Sequence, residues 1–163
     1  MQTLWAPWRM EYIKQDKPHD CIFCTFPAQA NDRENLVLGR SAYCFAMLNR
    51  FPYNSGHLMV IPRRHVSDLT ALPELEFQDL QRLLRASVAV LTEAYHPEGM
   101  NLGMNLGRVA GAGIDQHLHW HLVPRWSGDT NFMPVVGETK VMVEHLSECF
   151  DRLRPSFEAL AAR

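Results

Sequence analysis

The sequence predicts an α+β domain: an antiparallel sheet of about five strands with one long helix and a C-terminal helix. Three observations carry this expectation. Short apolar runs bounded by turn residues fill residues 36–62 and return over residues 100–124. Between them, apolar side chains recur every three or four positions. The same helical spacing reappears close to the end of the chain.

Taken in order, residues 36–38 and 42–48 read as a hairpin about Gly39 and Arg40, and residues 49–56 as a loop containing Pro52, Asn54 and Gly56. Residues 57–62 alternate poorly but are bounded by turn residues, as a strand buried on both faces would be. From Pro73 to Tyr95, the positions Phe77, Leu80, Leu84, Val88 and Leu91 describe one amphipathic helix. Pro73 suits its first turn, and His96-Pro97 ends it. Strands are expected at 100–106 and 117–124, joined by a glycine-containing loop over 107–116. Leu146, Phe150, Leu153, Phe157 and Leu160 mark the last helix, which Pro155 is expected to kink or divide. The first twenty residues carry Trp5 and Trp8 without periodicity, so they read as an arm packed on a single domain spanning 1–163.

With 163 residues, 47% of them hydrophobic, the chain can bury a real core. A net charge of -2 and a pI near 6.4 argue against the basic field that nucleic acid or an acidic membrane would need. Any anionic ligand must therefore be held by a local site. No apolar run reaches the roughly 18 residues that cross a bilayer, and the N-terminus lacks a signal peptide's layout, so a cytoplasmic protein is expected. In such a reducing compartment the C-x-x-C pair Cys21 and Cys24 suggests metal or redox chemistry, whereas Cys44 and Cys149 read as buried bystanders.

The densest chemistry lies at His117, His119 and His121, with Leu118, Trp120 and Leu122 between them. Side chains alternate across a strand, so the imidazoles should share one face and the apolar residues the other. Such a row could be an exposed polar face or a chelate of one ion. The stretch from Asn105 to Gly113, punctuated by glycines and feeding into the row, favours anion chemistry, because glycines let backbone N–H groups approach a phosphate. A neutral imidazole can attack phosphorus while a neighbouring histidine serves the leaving oxygen.

At this point the residues resemble the histidine triad family, whose His-φ-His-φ-His-φ-φ signature (φ apolar) is met in full from His117 to Val123. Gly56-His57 and the strand running to His65 resemble the family's earlier Gly-His strand. The opening around Trp5-Ala-Pro-Trp8 and the stretch from Pro124 to Phe132 are similar to a bacterial branch near the diadenosine tetraphosphate phosphorylases and the fragile histidine triad hydrolases.

The resemblance implies a homodimer whose two sheets join into one, and a nucleotide substrate cleaved at its α-phosphate. It implies that His119 is the nucleophile, that His121 contacts the scissile phosphate and leaving group, and that His117 completes the triad. Nucleotide contacts would come from Asn49 at the ribose, from Asn105, Gly111, Gly113 and Gln116 on the phosphate side, and from His57 in the network behind the triad. A purine is expected between apolar side chains of residues 45–48. Zinc-bearing members imply a structural zinc ion held by Cys21, Cys24, His65 and His117, a Cys₂His₂ set. Hydrolysis and phosphorolysis of dinucleoside polyphosphates, cleavage of nucleoside phosphoramidates, and nucleotide sensing without turnover all remain open.

Overall fold

The computed structural model describes residues 21–137, 139 and 141–161; the arm read from residues 1–20 lies outside the described residues. Five strands, β1 (Val37–Arg40), β2 (Cys44–Leu48), β3 (Leu58–Pro62), β4 (Gly99–Met104) and β5 (Trp120–Arg125), form one sheet in the order β1-β2-β3-β5-β4. Every neighbouring pair is antiparallel. The helices are α1 (Ile22–Thr25), α2 (Glu74–Tyr95), α3 (Met133–Val136) and α4 (Leu146–Ala161).

The central strands are buried on both faces, which explains why their hydrophobicity barely alternates. On one face Cys44, Ala46, Leu48, Leu58, Val60 and Leu122 meet Leu80, Leu84 and Leu91 of α2 and Leu153 and Phe157 of α4. On the other, Val37, Phe45, Met47, Met59 and Ile61 form a smaller cluster under Phe23 of α1. Cys44 and Cys149 are buried, as their apolar neighbourhoods predicted.

The long helix matches its periodicity, starting after Pro73 and closing where His96 turns left-handed at φ 45°. Three expectations need correction. Gly39 and Arg40 do not make the hairpin turn; they belong to β1, and residues 41–43 turn instead. The reason is packing: a Cβ on Gly39 would lie 2.9 Å from Phe157 Cβ, so glycine lets α4 settle directly on the strand. Asp32 reinforces the same contact by accepting hydrogen bonds from Arg40 and Arg154 at once. The last helix is not divided at Pro155 but continues as one element, with Phe150, Leu153 and Phe157 buried on either side of it. Finally, the histidine strand starts at Trp120 and not at residue 117. Its ladder with β3 ends at Val60↔Trp120, because the Leu118 N–H donates to Val66 O (2.8 Å) and the Pro62 carbonyl is taken by a histidine ring.

The Gly39 contact gives a direct test of this packing. Gly39→Ala should destabilise the fold by about 1–3 kcal/mol through overpacking, since the backbone there needs no special conformation. A denaturant titration should show a lower midpoint with an unchanged slope.

Candidate active site

The three histidines keep a common side of the chain although only His121 lies in the strand. Trp120 and Leu122 turn to the helix-covered core, while His119 and His121 sit with ring centroids 4.9 Å apart on the side of Phe23. Phe23 backs the row, edge-on to His117 at 5.5 Å between centroids and tilted against His119 at 5.1 Å. It is carried by the short helix α1, whose first turn closes on the Cys21 carbonyl.

Hydrogen bonds fix the tautomer of each ring, because a carbonyl can only accept. His119 Nδ1 lies 2.8 Å from the His117 carbonyl oxygen and must donate to it, which leaves the Nε2 lone pair free. Burial lowers the basicity of His119 further, so the ring is held neutral. His57, 1% exposed, accepts the Tyr53 N–H at Nδ1 (3.0 Å), so its Nε2 carries the proton and donates to His121 Nδ1 at 3.0 Å. His121 in turn keeps its proton on Nε2. The Tyr53 ring stacks on His57 at 4.7 Å and closes the far side of this pair.

His117 is oriented the other way. Its Nε2–H donates to the Pro62 carbonyl (2.8 Å), and burial depresses its pKa to about 4. The unprotonated Nδ1 faces Cys21 Sγ at 3.4 Å and Cys24 Sγ at 3.6 Å. Cys24 Sγ also lies 3.4 Å from His65 Nδ1. The four donor atoms lie within 4.8 Å of one another. A tetrahedral ion with bonds of about 2.0–2.3 Å would set its ligand atoms roughly 3.3–3.8 Å apart, so the set fits zinc in both chemistry and span. Burial, with the Cys21 thiol adding to it, pushes the Cys24 thiol up to about 11; a dication among the donors would reverse that.

The glycine loop folds into a 3₁₀ turn, Arg108–Ala110, between Gly107 (φ 81°) and Gly111 (φ 91°), left-handed positions that favour glycine. Gly111 lies against the Asn105 side-chain amide, 3.9 Å from where its Cβ would be. Gly113 is half-buried, and Gln116 is exposed. Asn49 reaches the row indirectly: its Nδ2 approaches Met59 Sδ (3.7 Å), and Met59 pairs with His121 across the ladder.

The expected purine sandwich at residues 45–48 is not available. Phe45 and Ala46 are 0% exposed and Leu48 1%, because α1 and the two helices cover both faces of β2. Conversely, the sequence reading missed Phe23 and Tyr53. Phe23 was signalled only by standing inside the C-x-x-C, and Tyr53 by nothing short of the turn that brings its N–H to His57. It also missed Asp129, which accepts from Arg125, from Asn54 Nδ2 (2.7 Å) and from the Trp126 N–H, and so fastens the chain after the histidine row to the turn before β3. The Arg125 guanidinium holds that carboxyl well below the usual range.

Comparison with known proteins agrees with this geometry. The HIT domain model matches residues 30–128, more than half of the chain. A protein of Mycobacterium tuberculosis named AP-4-A phosphorylase is 40% identical over 157 residues, covering 91% of this chain and 80% of that one. A solved histidine triad nucleotide-binding protein of Sulfolobus tokodaii superposes with a TM-score of 0.67 at 26% identity, covering 86% and 93% of the two chains. A zinc-bound histidine triad protein of Mycobacterium smegmatis does so with a TM-score of 0.67 at 23% identity, covering 88% and 96%. With its signature, sheet and relatives in agreement, the chain belongs to the histidine triad family.

Proposed function

We propose that this chain cleaves a dinucleoside polyphosphate at an α-phosphate by nucleotidyl transfer through His119. The observation that carries the reading is the tautomer pattern: an unprotonated Nε2 on His119 beside a protonated Nε2 on His121. The His119 lone pair attacks the α-phosphorus, and the bond from phosphorus to the polyphosphate oxygen breaks. The polyphosphate departs as its anion, its leaving oxygen accepting a hydrogen bond from His121 Nε2–H, and the His57 Nε2–H bond to His121 Nδ1 holds that ring in the donating tautomer. The cationic ring of the intermediate is stabilised by its Nδ1–H bond to the His117 carbonyl. An acceptor then attacks phosphorus, the P–N bond breaks, and His119 returns to its neutral form. Asn105 and the left-handed backbone around Gly111, with Gly113 and Gln116 beyond it, would hold phosphate oxygens; Asn49 would meet the ribose.

Between water and inorganic phosphate as acceptor, the 40% identity to a protein named AP-4-A phosphorylase favours phosphate. Incubation with diadenosine tetraphosphate and phosphate should yield ADP plus ATP. AMP plus ATP would instead assign hydrolysis, and no cleavage of any dinucleoside polyphosphate would overturn the substrate class. His119→Ala should reduce turnover by roughly four orders of magnitude. Nucleotide affinity, read by calorimetry, should change little.

The second part of the reading is a structural zinc ion on Cys21, Cys24, His65 and His117. When bound, the ion supplies a closed, four-coordinate cross-link and no site for water. It ties α1, and with it Phe23, to the segment leading into the histidine row. Cys21→Ser should therefore lower the melting temperature far more than it lowers turnover per folded molecule. Elemental analysis of protein purified without chelator should give about one zinc per chain.

A homodimer in which two sheets become one is supported by the unequal edges. At β1, α4 covers residues that are almost wholly buried, whereas β4 leaves Leu102 43% exposed on an uncovered edge. No helix among the described residues is long and apolar enough to cross a membrane.

A further inference from the structure

A cavity of about 270 Å³ lies at the carboxyl end of β5, and none of the histidines lines it. Its wall includes Ser55 from the turn before β3, Trp126, Thr130 and Asn131 from the loop after β5, and Pro134 and Met142 further on. The wall is braced from behind. Tyr95 packs edge-on against Trp126 (6.3 Å), and its hydroxyl donates to Glu144 (2.7 Å), which also binds Arg152 and so anchors the segment carrying Met142.

Two observations point to an occupant. Ser55 is 7% exposed, and its hydroxyl has no hydrogen-bond partner among the described residues. Asn131 spends its side-chain oxygen on the Met133 N–H (2.9 Å), which leaves its amide N–H₂ to donate elsewhere. Charge narrows the choice. Asp129 is in the wall, but Arg125, Asn54 and the Trp126 N–H already occupy its carboxylate, and no lysine, arginine or histidine lines the cavity among the described residues. A phosphate would find no cation there, and a pure hydrocarbon would leave the Ser55 hydroxyl unsatisfied.

We propose that this cavity is a second ligand site for an uncharged, nucleobase-sized heterocycle, which lies against the Trp126 indole and presents its polar edge to Ser55, Thr130 and Asn131. The volume suits one base or nucleoside and is small for anything larger. This site is separate from the histidine row and does not depend on the reaction assigned to it.

The test uses the full-length protein with ¹⁵N-labelled indoles and adenosine as the probe, with the Trp126 signal identified through Trp126→Phe. Adenosine should shift the Trp126 N–H resonance saturably, and inorganic phosphate should not. Ser55→Val should weaken that binding roughly fivefold to tenfold by removing the hydroxyl. If Ser55→Val fails to fold, Thr130→Val, at an exposed position, should give the same direction of change. A Trp126 signal unmoved at millimolar adenosine, shifts confined to the neighbourhood of His121, or equal affinity in a folded Ser55→Val or Thr130→Val protein would each overturn the proposal.

Discussion

The hydrogen bond from the His117 ring to the Pro62 carbonyl sits where β3 stops pairing with β5. Proline offers no N–H, so the ladder could gain little by continuing there, and the freed carbonyl becomes a fixed acceptor for the imidazole. That single contact releases the backbone of residues 117–119 from sheet geometry. The His117 carbonyl is then available to His119 Nδ1, and His117 Nδ1 to the cysteines. Orientation of the His119 ring and assembly of the four-donor cluster both follow from the β3–β5 ladder stopping at Val60, two residues before β3 itself ends.

Neutrality is the other property built into the row. Each ring has one nitrogen committed to a partner of known polarity: a carbonyl for His117 and His119, a main-chain N–H for His57, and through His57 a donor for His121. Burial opposes protonation of His117 and His119 as well. The row therefore does not attract an anion by charge, and in the proposed reaction the phosphates would be met by amides and backbone N–H groups near Asn105 and Gly111.

Much of this was legible in the sequence, and particular residues show why. Helix α2 was readable because Phe77, Leu80, Leu84, Val88 and Leu91 keep one period and Pro73 and His96 mark its ends. The side taken by the histidines was readable because alternation with Trp120 and Leu122 survives outside regular strand pairing. The start of β5, the place of Gly39 and the continuity of α4 through Pro155 were not. Each is decided by a partner distant in the chain: Pro62 and Val66 for the strand, Phe157 for the glycine, and the core around Phe150 and Leu153 for the helix. The base platform failed for a related reason, since local apolarity at residues 45–48 cannot tell an open wall from a core covered by α1. The stretch holding Gly107 and Gly111 was readable as a turn or an anion-binding loop, whereas the left-handed angles and the contact with Asn105 were not.

His117 divides its two nitrogens between unrelated duties. Nε2 serves the protein backbone, and Nδ1 serves the thiol pair. The carbonyl that orients His119 belongs to the His117 main chain, and the bonds that place this main chain, from Nε2 to Pro62 and from the Leu118 N–H to Val66, do not involve Nδ1. A chain in which both cysteines were replaced would thus keep the hydrogen bonds that orient the His119 ring. If both proposed roles hold, thermal tolerance and reactivity can drift independently, because the same residue serves them from opposite edges of one ring.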